Sequence, residues 1–109
     1  MTDRSEALVS TDRPARYGKQ LVAHLGRRNG GEWSGDDERG WIQLGDGRAE
    51  VVCASDGLRL SIEAPAEALA RLEDVVGRHL VRFATQDELH VHWSRSTGDP
   101  GSEQHSTPS

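Results

Sequence analysis

The chain has 109 residues, 34% apolar and 28% charged, with 13 Lys and Arg against 18 Asp and Glu for a formal net charge of −5. That length supports one domain with one core, and the acidic balance, without a clustered basic patch, argues against nucleic acid as a partner. Cys53 is the single cysteine, which excludes an internal disulfide and fits a reducing compartment. The N-terminus MTDRSEALVSTDRP has no secretory apolar run, and no segment approaches the ~20 apolar residues of a membrane helix, so a cytoplasmic protein without membrane contact is expected.

In chain order, EALVS at 6–10 alternates Ala7 and Val9 against Glu6, Leu8 and Ser10, the period of a short strand. A helix over about residues 13–28 follows: Thr11 or Asp12 can cap its start, Pro14 is tolerated in its first turn, and Tyr17, Leu21, Val22 and Leu25 recur at helical spacing. Asn29, Gly30 and Gly31 stop it, while Gly18 and Gly26 weaken it, so it should depend on packing against a sheet. SGDDERG at 34–40 is too polar for the core and is expected to form an exposed loop between Trp33 and Trp41.

The turn signals GDG at 45–47 and SDG at 55–57 separate WIQL, RAEVVCA and LRLSIEA, three runs joined so tightly that they must be antiparallel. Ala49, Val51 and Cys53 share one face, as do Leu58, Leu60, Ile62 and Ala64, so one sheet face is dry and the other mostly wet. After Pro65 the period switches again. Leu69, Leu72, Val76, Leu80 and Phe83 mark the apolar stripe of a helix reaching about Arg82, with Arg71 and Asp74 on its polar side and Asp74 and Arg78 spaced as an i,i+4 pair. LHVHWS closes the domain as a strand.

The expected order is therefore β-α-β-β-β-α-β: an α+β two-layer sandwich in which two helices cover one face of a mainly antiparallel five-stranded sheet. A single domain over 5–94 is expected, with 95–109 a disordered tail, because the final stretch SRSTGDPGSEQHSTPS holds no aliphatic or aromatic side chain to offset the entropy of ordering it.

No phosphate-loop, dinucleotide, CxxC, HExxH or GxSxG motif is present. His90 and His92, two residues apart on the last strand, point together and opposite to Leu89, Val91 and Trp93. They read as solvent-facing strand residues, since a catalytic zinc site needs a third protein ligand. Glu50 or Glu63 could supply it only if strand order brought them alongside. Cys53 alternates toward the core and lacks an assigned base, and the acidic pairs, Glu73 with Asp74 among them, are placed in the exposed loop or on the solvated side of the second helix. Arg13, Tyr17, Lys19, Gln20 and His24 concentrate along the first helix and, with Arg82 of the second, could form a polar pocket. No catalytic residue, metal or cofactor is assigned, and enzymatic activity is left open.

STDRPARYGKQLVAHLG, the GDG and SDG turns, and LEDVVGRHLVRFA followed by LHVHW resemble the bacterial proteins grouped as DUF2218, a family of unknown function, over about residues 5–94. Arg13, Pro14, Tyr17, Lys19, Gln20 and His24 match its first-helix motif; Gly77, His79, Leu80, Arg82 and Phe83 match its second. The resemblance also implies a Cys-x-His-x-x-His cluster in many members. Val22 and Arg27 stand at its other two positions here, and only His24 remains. It further implies an iron- or siderophore-related context. The expected function is that of a small accessory or ligand-binding domain with an unknown small-molecule ligand. Leu8, Trp41 and Val52 interrupt the wet sheet face, which makes that face a surface for a second copy, with Trp41 turned inward and Ile42 and Leu44 outward as the alternative.

Overall fold

The computed structural model describes residues 2–83 and 89–105. Its elements are β1 (Asp3–Ser10), α1 (Pro14–Asn29), β2 (Gly31–Ser34), β3 (Arg39–Leu44), β4 (Gly47–Ala54), β5 (Gly57–Ala64), α2 (Ala66–Phe83), β6 (His90–Arg95) and β7 (Pro100–His105). The strands form one sheet in the order β2-β3-β4-β5-β1-β6-β7, every neighbouring pair antiparallel. Because β5 and β6 both run against β1, which lies between them, they run the same way, and such a return needs a long crossover. α2 provides it, and α1 provides the corresponding link from β1 to β2 at the far edge.

The apolar periods give the core. Val9, Ile42, Val51, Leu58, Leu60, Ile62 and Val91 turn to the helix side of the sheet, where they meet Leu21 and Leu25 of α1 and Leu69, Leu72, Val76 and Leu80 of α2. α1 covers the β2–β4 end and α2 the β1–β6–β7 end. Ile42 and Leu44 are buried, so Trp41 lies on the open face and the alternative inward placement is excluded. The helix-weakening Gly18 has a packing reason: a Cβ there would stand 2.9 Å from the Trp33 ring of β2. Thr11 accepts a hydrogen bond from the Arg13 amide, but no side chain caps the start of α1. Gly30, in a left-handed backbone at φ +96°, ends the helix by donating its amide to Gly26 O.

The α+β class, the antiparallel sheet and the two helices on one face stand as expected, but the sheet has seven strands rather than five. One addition is β2: Gly31–Ser34 pairs with β3 from Gly31↔Ile42 to Ser34↔Arg39, so both ends of the expected 34–40 loop belong to strands and only 35–38 turn. Four residues with one aromatic among them show no measurable period; pairing and contact with α1 make the strand. The other addition is β7, in the segment expected to be disordered. That expectation does not hold for residues 95–105, where Arg95 ends β6 and 96–99 turn the chain into β7; residues 106–109 lie outside the described residues.

β7 docks through polar groups. Glu73 of α2, expected on the solvated side of the helix, is 0% exposed. It accepts hydrogen bonds from Ser5 Oγ (2.6 Å), from Arg95 Nε and a terminal guanidinium nitrogen (2.9 and 2.8 Å), and from the Ser102 amide and hydroxyl (3.1 and 2.8 Å). Beside it the buried Trp93 indole N–H donates to Gln104 Oε1 at 2.7 Å, and the Gln104 amide donates to Ser102 Oγ. Gly77 makes room for this strand, since a Cβ on α2 at that point would overlap the Gln104 side chain. With every buried side-chain nitrogen and oxygen of the described residues partnered, hydrogen bonding orders a segment that has no apolar area to bury.

Candidate functional site

The helix side of the sheet is closed by core, whereas its other face is open to solvent. Its strands present charges of both signs that pair along and across the sheet: Arg4 Nε with Glu6 of the same strand at 2.7 Å, Arg4 with Glu63 of β5 at 3.7 Å, and Arg39 of β3 with Glu50 of β4 at 3.8 Å. The Arg48 guanidinium stacks over the Trp41 ring, 4.8 Å from its centroid. Among these charges sit Leu8, 44% exposed, and the part-buried Trp41 and Val52. Leu8, with Glu6, Arg59, His92 and Ser94, walls a shallow depression of about 440 Å³ across β5, β1 and β6. A second, of about 200 Å³, lies toward β2, where Trp41, Arg48, Glu50 and Asp37 line it.

The residues expected to form a polar pocket along the helices are placed as follows. Tyr17 is buried; Arg13, Lys19, Gln20, His24 and Arg82 are exposed. His24 meets the second helix: its ring centroid is 5.1 Å from that of His79 and 5.5 Å from that of Phe83, edge-on to the latter. The His79 Nδ1–H donates to Val75 O at 2.6 Å, which fixes that ring to its own helix. Lys19 instead borders a depression of about 410 Å³ between α1 and β2, with Val22, Arg27, Glu32 and Trp33.

Two further groups have settled chemistry. The Cys53 thiol is half-buried, and burial first, then the neighbouring Glu38 carboxylate, pushes it above its ordinary value, away from the thiolate a nucleophile requires. Burial alone would raise the Glu73 carboxyl, but the hydrogen bonds from Arg95, Ser5 and Ser102 outweigh it and hold the group at about 2. An ionised carboxylate surrounded by that many donors is a structural anchor and has no proton to exchange near neutrality.

His90 and His92 are exposed and Leu89, Val91 and Trp93 buried, as the alternation requires. Glu50 and Glu63 stand on β4 and β5, whereas the neighbours of β6 are β1 and β7. What faces the two histidines is β7: His105 opposite His90, and Glu103 opposite His92. Neither residue was legible as a neighbour, because their strand was expected to be disordered.

The family described as "Uncharacterized protein conserved in bacteria (DUF2218)" matches residues 6–94. The chain belongs to the DUF2218 family. This DUF2218 chain is also similar to the protein of the "NMR structure of PA4090 from Pseudomonas aeruginosa", with 32% identity and a TM-score of 0.68 over 84% of this chain and 95% of that one. Among curated proteins none matches. The family match takes in both helix motifs that meet at His24, His79 and Phe83 and ends before β7. Among the described residues no helix is long and apolar enough to cross a membrane.

Proposed function

We propose that this protein is a non-catalytic accessory domain that works by binding, with the open face of its sheet as the working surface and a second copy of the chain as the occupant that face fits. The observation that carries this reading is the composition of the face. Leu8 stands out at 44% exposure, Trp41 and Val52 lie in the same surface, and the charges around them come as opposite-sign pairs. A face bearing both signs can complement itself, since a two-fold pairing can set an arginine of one copy against a glutamate of the other. The depression beside Leu8 offers a small ligand a shallow seat on the same face. An accessory role in an iron-related context belongs to the same proposal and draws on family resemblance alone.

A dilution series of amide NMR spectra on the full chain, from about 1 mM to about 10 μM, tests this directly. Concentration-dependent shifts centred on Leu8, Trp41, Val52 and Arg59, abolished by Leu8→Asp, support the reading. Spectra independent of concentration over that range, with light scattering at the monomer mass, contradict it.

A further inference from the structure

The pairing of β6 with β7 assembles four metal-ligating side chains that are far apart in any reading of the sequence as domain plus tail. Register puts His105 opposite His90 and Glu103 opposite His92, and alternation turns all four to the open face, while Ser102 and Gln104 turn inward. The pairing is irregular between His92 and Ser94, a place where a bulge alters the aim of nearby side chains. We infer that His90, His92, Glu103 and His105 form a binding site for a divalent first-row transition ion, with zinc(II) the simplest occupant.

The distances suit such an ion. One oxygen, Glu103 Oε1, lies 3.0 Å from His92 Nδ1 and 3.7 Å from His90 Nε2. Two donor atoms held by one tetrahedral ion at its usual bond lengths stand about 3.3 Å apart, and these two separations bracket that value. The imidazole rings of His92 and His105 lie 6.4 and 6.1 Å from that of His90. As the side chains stand, no group of three or more such ligands among the described residues is closed on a cation position. His90, His92 and Glu103 are 61%, 64% and 51% exposed, so no core contact opposes the side-chain rotations that would close it. Three imidazoles with one carboxylate form a nitrogen-rich donor set of the kind zinc and its neighbours prefer, and one that calcium and magnesium do not.

The site would tie the last strand to β6 from the open side, opposite the Glu73 network that ties it from the helix side. Binding should therefore stabilise the native state by linkage. Glu103 and His105 lie beyond the family match at 6–94, so the ion is a property of this chain's own C-terminal strand.

The test is calorimetric titration of the full-length, untagged, chelator-treated chain with zinc chloride. Parallel cobalt(II) titrations would be followed by visible absorption, which reports the ligand geometry. The expected result is one ion per chain with Kd below about 1 μM, weakened about tenfold or more in each of His92→Ala, Glu103→Gln and His105→Ala. These positions are exposed, and unchanged far-UV circular dichroism will show that each variant folds. Absence of saturable binding overturns the proposal, as does binding that survives the loss of either His92 or His105.

Discussion

The two halves of the sheet are held to their helices by different physics. From β3 to β5 the strands meet α1 and the first turns of α2 through aliphatic side chains, with Ile42, Val51, Leu58, Leu60 and Ile62 all at 0–1% exposure. At the other end α2 holds β7 with hardly any apolar contact: one ionised carboxylate, Glu73, gathers donors from β1, β6 and β7, and Gln104 satisfies the Trp93 indole. Apolar burial is non-directional and tolerates adjustment, whereas a buried charge network is stable only when complete. The β7 end should therefore respond sharply to the loss of one partner, and the β3–β5 end gradually to the loss of volume.

The largest effect is expected from Glu73→Ala, which leaves Arg95 and Ser102 facing a void. Urea unfolding should show a loss of about 3–5 kcal/mol, since removing one member of a buried ionic pair strands the other. Leu72→Ala, in the same helix but inside the aliphatic part, should cost about 2–5 kcal/mol according to how far the cavity collapses. Its neighbour Arg71→Ala, on the exposed side, should cost less than about 0.5 kcal/mol; equal costs for this pair would break the assigned phase of α2.

Acid separates the two halves in another way. The Glu73 carboxyl is depressed from 4.5 to about 2 in the folded chain. The stability it contributes is thus fully present above the unfolded value and is lost as pH falls through the window between 4.5 and about 2. The contribution is on the order of 3 kcal/mol. Glu73→Gln should remove this component of the acid transition, and amide exchange in wild type should show β7 opening before β4 and β5 in that window. Simultaneous opening would mean that the polar end is no more acid-sensitive than the rest.

The same contrast explains what the sequence made legible. Ala7 and Val9, Leu72 and Val76, and Leu89, Val91 and Trp93 fall on the buried side because burial of aliphatic groups leaves a period of 2 or 3.6 in the chain. The exposed placement of His90 and His92 came with it. Glu73 also left a trace: it sits four residues after Leu69 and three before Val76, inside the apolar stripe. A carboxylate at that phase announces a buried partner. The partners could not be read, because Ser5, Arg95 and Ser102 are ordinary polar residues 68, 22 and 29 positions away, and hydrogen bonds leave no periodicity. For the same reason Glu103 and His105 could not be placed beside His90 and His92, and the burial of Tyr17 and the meeting of His24 with His79 come from packing that spacing within either helix does not show.

The most direct test of the claim that the last strand belongs to the fold is thermal unfolding of a chain ending at Arg95. Removing residues 96–109 takes away the Ser102 donors to Glu73, the Gln104 acceptor of the Trp93 indole and the Ser96 amide bonded to Arg4 O, leaving buried polar groups unsatisfied and the Trp93 ring uncovered. Tm should fall by about 8 °C or more, the shift expected of some 2 kcal/mol in a domain of this size. A change within about 2 °C would contradict the account and return the segment to the status of a tail.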